Sequence, residues 1–97
     1  MLKVTEKAEE KIRNKFKNYS PESDLNIRMV SDPINPDKFD FALDRRSERD
    51  TLVKGNSGDV VFLLSPHLSR KLDRKVLDYR EKSGVGTFII LDQHPER

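Results

Sequence analysis

Residues 58–79 read GDVVFLLSPHLSRKLDRKVLDY, and this stretch decides how the rest of the chain is read. Residues 60–64, VVFLL, are apolar without alternation, as a strand covered on both faces is. Ser65 then offers a helix N-cap and Pro66 a residue preset for the first helical position, so a short helix follows with Leu68 and Leu72 on one face. Residues 76–79, VLDY, return to a strand pattern. Downstream, TFIIL at 87–91 makes a second strand, joined to the first through REKSGVG, where Gly84 and Gly86 mark the turn.

Upstream of this stretch the period is two. Leu25, Ile27 and Met29 alternate with polar residues, as do Phe39, Phe41 and Leu43, which predicts two half-buried strands. Between them lies SDPINPDK, a polar loop punctuated by two prolines. RRSERD at 45–50 reads as a charged surface connection, Leu52-Val53 as a short apolar pair, and KGNSGD at 54–59 as a tight turn. At the start of the chain, Leu2 and Val4 flank Lys3 in a short strand, and Thr5 is placed to cap a helix whose first turn holds Glu6. Ala8, Ile12 and Phe16 recur every four residues, with Tyr19 three further on, so an amphipathic helix is predicted over 6–19 and stopped by Ser20-Pro21. The expected fold is α+β: a long N-terminal amphipathic helix packed on a mostly antiparallel β sandwich or partial barrel, with one short inserted helix, in a single domain spanning 1–97.

Composition narrows the function. Val, Ile, Leu and Phe make up 27 of 97 residues, enough for a modest core. Nineteen basic and 17 acidic side chains nearly cancel. The basic excess is confined to residues 1–19 and 69–82, each +3. These stretches hold few aromatics and are too sparse for a phosphate-tracking stripe, so nucleic acid is not the expected partner. No apolar run approaches a membrane span and the first residues contain no signal-type apolar segment, which makes the cytoplasm the expected location. There is no cysteine, and hence no disulfide and no thiol nucleophile.

Other chemistry is thinly provided. Asp32, Asn35, Asp37 and Asp40 offer oxygen donors, but at a spacing unlike a calcium loop; beside proline they read as turn caps. His67, in the first turn of the short helix, and His94, in the tail, are the only imidazoles, and no pattern brings them together. Ser65 is better used as a cap than as a nucleophile, having neither a G-x-S-x-G turn nor a nearby base.

The segments LKVTEKAEEKI and GDVVFLLSPHLSRKLDRKVLDY, followed by Gly84, Gly86 and Phe88, resemble in order and spacing the HesB-like, or A-type iron-sulfur carrier, family. The resemblance implies a cluster held by three cysteines, one in a Cys-Ser-Gly turn and two in a Cys-Gly-Cys tail. It places Ile34 at the first cysteine, with Asn35 and Pro36 at the serine and glycine, and puts the other two a dozen or more residues past Phe88, about where the sequence ends at Arg97. Arg74 stands where the family has a glycine after Leu72-Asp73. Iron in such clusters is held by thiolates, and an isoleucine has no lone pair to give.

The expected function is therefore that of a non-catalytic HesB-like protein without its cluster ligands, acting as a protein-interaction or accessory module with no metal and no cofactor. Asp32, Ile34, Asn35 and Val85 are the candidate partner contacts. The resemblance implies cluster-assembly proteins as partners, and subunit association. Two alternatives stand beside this expectation: iron or cluster binding through non-cysteine or partner-supplied ligands, and a small enzyme using a cleft of the sandwich.

Overall fold

The computed structural model of the chain describes residues 1–18, 25–36 and 38–93. The order of elements is β1 (Lys3–Val4), α1 (Glu6–Lys15), β2 (Leu25–Ser31), β3 (Phe39–Arg45), β4 (Thr51–Lys54), β5 (Val60–Leu64), α2 (Pro66–Lys71), β6 (Lys75–Lys82) and β7 (Val85–Asp92). The strands form two mixed sheets, one ordered β1-β6-β7 and the other β3-β2-β5-β4.

This corrects the expected architecture in two respects. The N-terminal helix is short, ten residues instead of fourteen, and no long helix lies on a sandwich. Thr5 caps it as its sequence suggests, its Oγ1 accepting from the Ala8 amide at 3.2 Å while donating to Asp78 Oδ1 at 2.8 Å. The helix ends where the Phe16 amide turns to the Arg13 carbonyl, three residues back, at 3.2 Å. Ala8 and Ile12 are fully buried, and Phe16 still packs on the core from the C-cap. The four-residue apolar spacing thus outlasts the helix, because it marks a face and not the end of the hydrogen-bond ladder. Tyr19, Ser20 and Pro21 lie outside the described residues.

The second correction concerns strand direction. The three hairpins β2-β3, β4-β5 and β6-β7 are antiparallel, but β2 pairs parallel with β5, joining the first two, and β1 pairs parallel with β6 beside the third. Hairpin turns leave local signals in a sequence; the parallel pairings link residues such as Val4 and Leu77, or Arg28 and Leu63, with no turn between them to read.

β5 lies between β2 and β4, and Val61 to Leu64 are all buried, as an unbroken apolar run implies. One core cluster draws on both sheets and both helices, with Ile12, Phe62, Val53 and Leu77 wholly enclosed. Pro66 does open α2, although the Ser65 side chain makes no capping bond. The 45–50 connection is pinned and not loose: Arg28 Nη1 and Nη2 donate to Asp50 at 2.7 and 2.6 Å, and the same carboxylate accepts from the Ser47 amide at 2.7 Å. No described helix is long and apolar enough to cross a membrane.

Candidate functional site

Phe62, Phe41, Phe88 and Tyr79 form a ladder of edge-to-face rings with centroids 5.1, 5.0 and 5.0 Å apart. Such geometry suits the aromatic quadrupole and fixes each ring through the next. The ladder starts at the fully buried Phe62 and ends in a cleft of about 570 Å³ between the β2-β3 loop and the β6-β7 hairpin. Phe88 and Tyr79 line it from the hairpin side; Asp32, Pro33, Lys38 and Phe39 line it from the loop side.

The loop shapes itself. Asp32 Oδ1 accepts from the amides of Ile34 at 2.8 Å and Asn35 at 3.2 Å, which bends the chain over the aspartate. The Asp32 amide donates to the Lys38 carbonyl and the Lys38 amide to that of Asn35, both at 2.9 Å, closing the turn. The Ile34 amide, then that of Asn35, holds the Asp32 carboxyl below its ordinary range. The result is that Ile34 stands 93% exposed at the loop tip.

The hairpin turns at Ser83 and Gly84, both with positive φ, 54° and 80°. Gly86, expected to mark the turn as well, lies instead in β7 beneath a ring: a Cβ there would come within 1.6 Å of the Tyr79 hydroxyl. Val85, 69% exposed, precedes it.

The structure therefore brings the expected contact residues together only in part. Asp32 lines the cleft; Ile34 and Val85 project from the two segments that wall it, and Asn35 is exposed beside Ile34. Asp40 is occupied by Lys15 at 2.5 Å, which more than any other contact lowers its carboxyl. His67 is exposed on α2, while Asp37 and His94 lie outside the described residues. Among the described residues no three His, Asp or Glu converge. Tyr79 and Phe88 were not picked out in the sequence as a binding floor. A glycine within a strand, diagonal to an aromatic on its neighbour, is the signal that marks such a close approach.

Arg74 adopts φ 64°, a left-handed backbone that a glycine takes with least strain. Several basic side chains of the two basic stretches are paired: Arg13 with Glu9, Lys11 with Glu81, Lys75 with Asp92 and Arg80 with Asp78. The chain matches no protein-family model, and no curated protein is significantly similar to it.

Proposed function

We propose that this protein is a non-catalytic HesB-like protein-binding module of the cytoplasm that lacks the thiolate ligands of the A-type carriers and engages its partner through the 32–36 loop and the 83–86 hairpin. The observation that carries this reading is the presentation of Ile34. A loop held by four internal hydrogen bonds displays an isoleucine almost fully to solvent, next to a cleft with an aromatic floor and, on the other wall, the exposed Val85. Apolar anchors on a pre-shaped support, rimmed by charge, are what protein interfaces use, because little ordering entropy is lost when they bind. The left-handed backbone of Arg74, at the position where the resemblance expects glycine, supports the resemblance. Cluster-assembly proteins are the partners that the resemblance suggests.

The test is a pair of affinity captures from native lysate. Wild-type protein should retain a specific partner, and Ile34→Asp with Val85→Asp should lose it while the circular dichroism spectrum and melting temperature stay unchanged; equal recovery by both would refute the contact surface. Anaerobic incubation with ferrous iron and sulfide should leave the protein colourless. A stoichiometric visible chromophore would instead favour the reading as an iron or cluster carrier.

A further inference from the structure

Four strands lie at sheet edges, and three are guarded. β1 is two residues long, β4 carries Lys54 and a register shift at Val53/Lys54, and β3 carries Asp40, Asp44 and Arg45. Short length, a bulge or outward charge are the usual means of keeping an edge from pairing with another chain. β7 has none of them. It runs eight residues, pairs with β6 without a break in register, and contains no charge and no proline from Val85 to Leu91.

Its open hydrogen-bonding groups can be assigned. The Gln93 amide donates to the Arg74 carbonyl at 3.2 Å, and this pair lies one step beyond Lys75/Asp92 in the β6-β7 register. Bonded and non-bonded pairs alternate in an antiparallel ladder, so Leu91, Ile89, Thr87 and Val85 face β6 with their amides and carbonyls. Those of Gly86, Phe88 and Ile90 then point away from β6, to the side where β7 has no neighbouring strand among the described residues.

We infer that this edge is a homodimer interface, in which β7 of two copies pairs antiparallel about a two-fold axis at Ile89 and joins the two three-stranded sheets into one of six strands. This register makes the strand complementary to itself, as an isologous contact requires. Ile89 meets its own copy, Thr87 meets Leu91, and Phe88 meets Ile90, so no like charges oppose one another along the seam. Ile89 and Leu91 lie on the sheet face away from Phe88, where they are half-buried and 36% exposed, respectively. The charged residue at the end of the strand, Asp92, falls opposite Gly86 of the second copy. There the Tyr79 hydroxyl occupies the place of the missing Cβ and has no hydrogen-bond partner among the described residues. Directly opposed Cβ positions in such a ladder are about 4.5–5.5 Å apart, so the hydroxyl is within reach to donate to that carboxylate. Lys38 lines the same cleft and adds positive charge, and Glu81, across from Gly86 on β6, is already paired with Lys11 at 3.3 Å.

The test is the oligomeric state of the purified full chain by sedimentation equilibrium over a wide concentration range. Wild type should show a monomer–dimer equilibrium. Ile89→Lys sets two ammonium groups face to face across the axis and should weaken association by at least ~tenfold. Its site lies on the outer face, so the spectrum of the monomer should be unchanged. The double variant Thr87→Lys/Leu91→Asp places each lysine opposite an aspartate of the other copy and should still dimerise. A wild type that stays monomeric throughout, an Ile89→Lys variant that dimerises as well as wild type, or a folded double variant that no longer dimerises would each overturn the inference.

Discussion

Asp50 ties the β3-β4 connection to Arg28 of β2. Its carboxylate is 2% exposed and accepts from both terminal nitrogens of Arg28 and from the Ser47 amide, while Arg28 itself is 14% exposed. Replacing Asp50 with Asn keeps the shape, removes the charge, and turns an amide hydrogen pair toward a guanidinium that also has only hydrogens to offer. Breaking a buried pair by removing one charge costs about 3–5 kcal/mol when the other is left uncompensated. Here Arg28 keeps a second carboxylate, Asp44 at 2.9 Å, and the Arg45 carbonyl at 3.0 Å. The cost therefore falls below that range, at about 2–3 kcal/mol. Urea unfolding followed by far-ultraviolet circular dichroism should show that loss as a lower midpoint with unchanged slope.

The same pair sets a pH dependence. The Arg28 hydrogen bonds, more than any other contact, hold the Asp50 carboxyl below its ordinary range, so the folded state binds its proton more weakly than the unfolded one. The stabilisation is complete above the unfolded carboxylate value and is lost as the pH falls through the lower, folded value. The gap between wild type and Asp50→Asn should thus be constant near neutrality and close only as the pH falls below the ordinary carboxylate range. Combining Asp50→Asn with Arg28→Met strands neither charge, and the double variant should be more stable than the two single losses predict when added, by at least ~1 kcal/mol. An Asp50→Asn cost under about 0.5 kcal/mol, the level of an ordinary surface change, would refute the reasoning.

Three further outcomes follow from the packing. Phe62→Ala should cost about 3–5 kcal/mol in the same unfolding assay, because the wholly enclosed ring supports Phe41 and leaves a cavity. Gly86→Ala should cost about 1–2 kcal/mol by pushing the Tyr79 ring off Phe88, and in a Tyr79→Ala background that penalty should vanish. Arg74→Gly should raise stability by about 0.5–1 kcal/mol, since the position is already left-handed; a loss would mean that the arginine side chain contributes more than its backbone strain costs.

How much of this was legible in the sequence depended on whether the physical cause was local. Thr5 as a cap, Pro66 at the head of α2 and VVFLL as a covered strand each follow from neighbours a few positions away, and each is found in place. The end of α1 was misread because Phe16 belongs to the apolar stripe and to the cap at once. The parallel joins were missed for the opposite reason: the partners of Val4 and Arg28 lie 73 and 35 positions downstream, at Leu77 and Leu63.

The candidate site divides in the same way. Asp32 as a turn cap beside proline was readable; the exposure of Ile34 was open in the sequence and follows from the fold, since a loop that satisfies its own backbone has no need to bury its tip. The cleft next to it was not readable, because it arises where two hairpins from different sheets come together over the Phe41–Phe88 contact. Gly86 shows how the two levels meet. In the sequence it looks like half of a turn, whereas in the fold it is the one residue type that lets a tyrosine lie across a strand, and the hydroxyl there, without a hydrogen-bond partner among the described residues, sits beside a strand edge that carries no charge from Val85 to Leu91 and no bulge.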